Sequence, residues 1–299
     1  MRINIVIDPV RRLPLGAVAL LPLLLPAVAA AGAPPTAAIE ASVDPGAAPS
    51  LEHGKAFTGD ATPVEPGHVE VELAYAPSWW ATPGALDRIS GQQHLLSLAT
   101  GVGLARDVDA RLVLGWSLVQ QARVGGVAPT AGSGLADTTL AVRWRVLSLA
   151  EPALDVAVSA AATAPTGSTG TEEHPGTGQG TWGLAGAILA SADWGRFTAS
   201  AELGYSAPVG TRVSNDLGML ICNLAVGWQW LPAIQPEVEL NYQHELESGA
   251  EPDERVLWAT LGVVMPMDPV RLVVGARVPV WSAGTSVGPM ATAALKVAF

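Results

Sequence analysis

From residue 68 to the C-terminus the chain alternates apolar side chains with polar or small ones, and this period of two governs what it can fold into. Successive side chains of a strand point to opposite faces, whereas a helix repeats its face every third or fourth residue. In HVEVELAYA, Val69, Val71, Leu73 and Tyr75 share one face while His68, Glu70, Glu72 and Ala74 share the other. The split recurs with Leu140, Val142, Trp144 and Val146 against Thr139, Ala141, Arg143 and Arg145. Val238, Leu240 and Tyr242 oppose Glu237, Glu239, Asn241 and Gln243 in the same way. From Val256 to Val264 both faces are apolar or small, which leaves the phase of that strand open. The runs count to twelve strands, with ten to fourteen as the bounds.

Alternation alone fits a soluble sandwich as well as a membrane barrel, so composition has to decide. Charged residues make up 14% of the chain and hydrophobic ones 49%, with a mean hydropathy of +0.33; soluble domains carry roughly 25% charged residues. The second face is a mixture of Gly, Ala, Ser, Thr, Gln and isolated charges, which suits a confined polar lumen better than a water-facing coat. A helical span needs about 18 consecutive apolar residues, and Leu217 to Leu231 is broken by Cys222, Asn223 and Gln229. Short links alternate with longer Gly-, Pro- and Ser-rich segments, as in barrels with tight turns at one rim and loops at the other. An open sheet edge in lipid leaves peptide groups unpaired at several kcal/mol each. The expected fold is therefore all-β: a closed, antiparallel, up-and-down transmembrane barrel.

Three zones follow. Residues 1–31, with Arg2, Arg11 and Arg12 ahead of an apolar run ending in small residues, have the form of a secretory signal peptide. Residues 32–66 are rich in Ala and Pro without either period, and are expected to be a flexible segment; the alternative is that they fold into the lumen as a plug. Residues 67–299 form the barrel. Export and barrel together place the chain in the bacterial outer membrane, with outer-membrane lipid and the barrel-assembly machinery as partners and the terminal Phe299 as assembly signal. A net charge of −11 disfavours nucleic acid as a partner.

The ten tryptophans, Trp79, Trp80, Trp116, Trp144, Trp182, Trp194, Trp228, Trp230, Trp258 and Trp281, sit mostly near strand ends. Indole has an apolar body and one N–H donor, so an aromatic girdle at the lipid headgroups is expected. The inward charges Glu70, Glu72, Arg143, Arg145, Glu237, Glu239, Arg271 and Arg277 are the candidate pore-lining residues. Set at different angles around a ring, they either impose a transverse field on a solute or fill a small barrel as ion pairs.

The segments PGHVEVELAYAPSWW (66–80), LADTTLAVRWRVL (135–147), AVSAAATAPTGSTGT (157–171), GTGQGTWGL (176–184) and AELGYSAPVG (201–210), in that order, resemble the outer-membrane proteins grouped as the putative MetA-pathway of phenol degradation family. The resemblance implies a barrel associated with uptake of small organic molecules, hydrophobic or aromatic ones among them, and brings no catalytic residues. Where the family pattern has an acidic residue after GTGQG, this chain has Thr181 and Trp182.

The residues themselves supply no catalytic, metal or cofactor motif: there is no GxSxG elbow, HExxH helix or Cys/His cluster. His244 in NYQHE is the one histidine placed to serve a membrane hydrolase, and Cys222 falls on the apolar face. The reading is a non-enzymatic, passive channel for a small solute of unknown identity. A structural or interaction barrel without transport stands second, and a membrane-embedded hydrolase third.

Overall fold

The computed structural model describes residues 55–81, 89–124, 130–150, 153–170, 175–210, 216–247, 253–267, 269–284 and 287–299. The chain divides into Met1–Ala48 and Pro49–Phe299. The first unit, with the signal-peptide assignment, lies outside the described residues.

Thirteen strands follow one another: β1 (Val69–Ala81), β2 (Ile89–Ala105), β3 (Val108–Val124), β4 (Thr130–Leu135), β5 (Thr138–Ala150), β6 (Ala153–Ala164), β7 (Trp182–Trp194), β8 (Phe197–Val209), β9 (Asp216–Trp228), β10 (Gln235–Glu247), β11 (Glu254–Met267), β12 (Val270–Ala283) and β13 (Met290–Ala298). Each pairs antiparallel with its neighbours, and β1 pairs with both β2 and β13, so the sheet closes on itself. Val69 and Phe299 exchange backbone hydrogen bonds of 3.2 and 2.8 Å at the seam. β4 and β5 are one stave with a break at Ala136 and Asp137: β3 pairs with β5 through Val113 and with β4 from Trp116 onward. The ring therefore has twelve staves, the number that the alternation gives. Among the described residues no helix is long and apolar enough to cross a membrane.

The sides of the wall follow the period of two. On β11, Leu261 is 70% exposed while its neighbour Thr260 is fully buried. Tight turns gather at the rim that holds Val69 and Phe299. Gly195, at φ 64°, lets Trp194 and Phe197 pair across a two-residue turn that a side chain with a Cβ would strain.

Two tryptophans depart from the expected girdle. Eight of the ten, all but Trp80 and Trp258, face outward at 40–56% exposure. Trp258 is 3% exposed, because Val256, Trp258, Thr260, Gly262 and Val264 are the inward set of β11, which settles the phase left open by the sequence. Trp80 has the same parity as Glu70 and Glu72 and lies across Gly91, whose Cβ, if present, would come 2.3 Å from the indole. Trp281 stays outside thanks to a bulge: Trp281 and Pro279 pair with Leu257 and Trp258, so Val280 is an extra residue that shifts the phase of β12.

Leu261→Arg is expected to lower stability by about 2–4 kcal/mol, as for a cation near the bilayer midplane, and Leu104→Arg, beside the β2–β3 turn, by about 0–1 kcal/mol. Urea unfolding in liposomes measures both.

Candidate functional site

The lumen is built from the inward residues of every strand, and its charges are handled in two ways. On the side formed by β13, β1, β3, β5 and β6 they pair with one another. Lys296 lies 2.9 Å from Glu70 and 3.8 Å from Glu72, and Arg111 lies 2.9 Å from Glu72. Arg111 reaches Glu72 across β2, where Gly101 is registered between Glu70 and Arg111. Arg143 binds the Asp109 carboxylate, and Arg145 bridges Asp107 at 2.8 Å and Asp155 at 3.2 Å. Asp109, the second residue of β3, is thus a lumen ligand for Arg143.

On the opposite side, Asn223 and Asn241 donate to Glu202 of β8 and Glu239 of β10 at 2.9 and 3.2 Å, and these two and Glu237 take their further donors from a segment that is not part of the ring. Residues 55–66 lie inside the barrel near the tight-turn rim as a strap. Ala56 N–H donates to Glu237 Oε1 at 2.9 Å, Phe57 N–H to Glu239 Oε1 at 3.1 Å, and Thr58 Oγ1 to Glu239 Oε2 at 2.6 Å. Gly59 N–H donates to Glu202 Oε2 at 2.9 Å, Ala61 N–H to Ser191 at 3.1 Å and Val64 N–H to Asp109 at 2.9 Å. Arg143 returns a bond to the Asp60 carbonyl at 2.6 Å. A small apolar contact of Ala61, Ala157 and Leu189 accompanies these polar ones. The strap leaves past Gly103, where a Cβ would stand 1.9 Å from the Glu65 carbonyl oxygen, so only glycine admits it.

Over 55–66 the expected flexible segment is therefore replaced by one with fixed partners; residues 32–54 lie outside the described residues. Its backbone donors meet carboxylates that a narrow lumen would otherwise hold short of donors. Burial depresses the Lys55 ammonium below its ordinary value, against the pull of Glu237, Asp60, Glu239 and Asp193.

All eight charged residues named from the sequence lie on inward positions. The structure brings Glu70 with Glu72, Arg143 with Arg145, and Glu237 with Glu239 into the clusters above. Arg271 registers opposite Lys296. Among the described residues Arg277 has no carboxylate in its hydrogen bonds: its Nε and Nη2 donate to Met290 Sδ at 3.2 and 2.9 Å. Its guanidinium lies 4.3 Å from the Phe57 ring centroid and 4.5 Å from that of Trp258. His244 contacts Asp253 at 2.9 Å and Arg255 at 3.2 Å, an ion-paired group that contains no nucleophile.

Towards the long-loop rim the lumen widens into a cavity of about 590 Å³ whose lining includes Gln93, Gln120, Thr163, Gln179, Ser206 and Glu245. One wall of it is a glycine-rich loop. β6 ends at Ala164, below the level of β4, and the loop fills the gap. Asp137, at the break in the stave, accepts Gly167 N–H at 2.9 Å and Gln179 N–H at 2.7 Å. Thr177 Oγ1 donates to the Leu135 carbonyl at 2.6 Å. A Cβ on Gly178 would lie 2.2 Å from the Asp137 carboxylate, which accounts for the glycine spacing of GTGQG.

The broken stave and the stapled loop both fall inside the span of the chain that carries a family signal. Residues 97–215 match the family model described as Putative MetA-pathway of phenol degradation. The resemblance noted above is to this family, and the matched span contains Asp137 and both of its backbone donors. No curated protein sequence matches the chain. Among solved structures, an outer membrane channel from Pseudomonas putida F1 superposes with a TM-score of 0.65 at 12% identity, covering 81% of this chain and 98% of the channel. At that identity the shared property is the fold, an outer-membrane β-barrel. The translocator domain of the autotransporter NalP from Neisseria meningitidis aligns over 78% of this chain and 88% of its own, with a TM-score of 0.47 and 12% identity. The beta domain of the Bordetella autotransporter BrkA aligns over 77% and 100%, with a TM-score of 0.48 and 14% identity.

If carboxylates hold the strap, neutralising them should free it. In the Glu237→Gln, Glu239→Gln double variant, trypsin cleavage between Lys55 and Ala56 is expected to accelerate about tenfold, the equivalent of about 1.4 kcal/mol. Mass spectrometry of the fragment that begins at Ala56 gives the rate, and an unchanged rate would show that the strap is held by something else.

Proposed function

We propose that this chain is a passive outer-membrane channel for small organic molecules, with residues 55–66 as the element that closes it. The observation that carries the reading is the way the strap is attached. It contributes no strand to the ring, it meets the wall through hydrogen bonds to side chains, and its one backbone bridge, Pro66 to Gly103, lies where it leaves through the tight-turn rim. Its withdrawal breaks no backbone ladder and exposes a polar, glycine-lined interior. The cavity of about 590 Å³ at the other rim is the entrance vestibule. Glu70, Glu72, Arg143, Arg145, Glu237, Glu239, Arg271 and Arg277 line the route, and they act on a solute by charge, without bonding chemistry.

On the same reading the outward face meets outer-membrane lipid, and the eight outward tryptophans anchor it at the headgroups. Phe299, 71% exposed at the seam, is what the assembly machinery reads. The ion pairs of the β13–β6 side favour a second reading, a closed structural barrel whose lumen is simply filled.

Planar-bilayer recording separates the two. Deleting residues 55–65 is expected to raise the unitary conductance, and Arg143→Ala in that background to shift selectivity towards cations by removing a positive charge from the wall. A deletion variant that inserts but does not conduct would leave the closed structural barrel as the correct account.

A further inference from the structure

The strap does not merely obstruct the lumen; it fills a pocket with particular chemistry. Phe57 places its ring 4.3 Å from the Arg277 guanidinium, whose other neighbour is the Trp258 ring at 4.5 Å. Arg277 and Trp258 are 8% and 3% exposed, so this is a desolvated slot for a flat ring. Next to it, Glu237 and Glu239, 3% and 0% exposed, receive N–H and O–H donors from Ala56, Phe57 and Thr58. Lys55 brings an ammonium to the same corner: its Nζ lies 3.0 Å from where a Cβ of Gly227 would be, and Gly227 registers opposite Glu237. Glu237 Oε2 is buried without a hydrogen-bond partner, so the pocket has an acceptor to spare.

The side chains that the strap inserts here are thus an ammonium and an aromatic ring, two residues apart. When the strap leaves, two buried carboxylates remain against one guanidinium, and the slot over Arg277 is uncovered. A carboxylate ligand would bring further acceptors to a pair already short of donors, and a plain hydrocarbon would leave both oxygens of Glu237 and Oε1 of Glu239 without donors. We infer that Glu237, Glu239, Arg277 and Trp258 form a binding site for small aromatic amines, which Lys55 and Phe57 occupy as an internal stand-in. The inference rests on the reading of the strap as a removable closure. It adds that the solute competes with the strap, so occupancy by the amine and opening of the lumen are coupled by mass action.

The test is a direct binding measurement on the purified full chain in detergent, with phenethylamine as the probe and isothermal calorimetry as the readout. Phenethylamine is expected to bind, with phenylethanol, butylamine and benzoate each weaker by about tenfold or more. Phe57→Ala removes the competing ring and is expected to tighten phenethylamine by about three- to tenfold. Glu237→Gln, close in shape to the native side chain, is expected to weaken it by a similar factor; heat-modifiable gel migration confirms that each variant is a folded barrel. Equal binding of phenylethanol or butylamine, or a Phe57→Ala variant that binds no more tightly, would overturn the site. Binding needs no conduction, so a channel that opens on strap deletion without binding phenethylamine refutes the site alone. A barrel that binds phenethylamine without ever conducting refutes the channel alone.

Discussion

Hydrocarbon offers no partner to a peptide group, and the outline of this molecule follows from that. Each N–H or C=O left unpaired in the bilayer costs several kcal/mol, so the first strand must meet the last, as Val69 and Phe299 do. Once the ring is closed, side chains divide by parity, and every second residue is turned into the lumen. The break at Ala136 and Asp137 tests this logic. There β6 ends early, and the exposed edge of β4 is covered by a loop that lies flush only because its close approaches are glycines and because Asp137 takes two of its N–H groups.

The inward face has its own version of the same constraint. A carboxylate in a confined lumen needs either a cation or several donors, because desolvation without them is expensive. This wall uses the first solution around β13, β1, β3, β5 and β6, and the second around β8 and β10. The first is mostly made within the wall, and the strap adds Val64 N–H to Asp109 and Thr62 Oγ1 to Asp155. The second depends on residues 56–59, whose amides lie in succession along Glu237, Glu239 and Glu202. The division explains the course of residues 56–59: they follow the carboxylates that the wall's own arginines leave to them.

The period of two in the sequence was enough to place the ring, its number of staves and the inward position of all eight proposed lumen charges, because strand parity is a local property. Trp80 and Trp258 were not legible in the same way. A tryptophan near a strand end suits a girdle, and that expectation overrode the parity Trp80 shares with Glu70 and Glu72; in β11 both faces are apolar or small, so parity had nothing to work on. The strap was hidden for a different reason. Its bonds are made by backbone amides, which every residue carries, to partners well over a hundred positions away. No residue type in KAFTGDAT announces that its amides will meet Glu237, Glu239 and Glu202. Gly103, Gly227, Gly262 and Gly275 were the available hint, since glycines on the inward faces of β2, β9, β11 and β12 leave room for something that must then be supplied.

The kind of bond that holds the strap also bears on whether it can move. A strand added to the ring would be fixed by a backbone ladder and could leave only by unfolding the wall. The strap's main fastenings are amide-to-carboxylate bonds, and water entering behind a withdrawing segment restores a donor to each carboxylate, so the net cost of separation is far below the gross strength of the bonds. Little apolar surface is lost, since Ala61, Ala157 and Leu189 are the buried apolar cluster beneath it. The one contact that water replaces poorly is Phe57 on Arg277, where a ring covers a guanidinium that has no carboxylate in its hydrogen bonds among the described residues. An occupant that supplies another ring there, and donors for Glu237 and Glu239, removes the main remaining cost of opening.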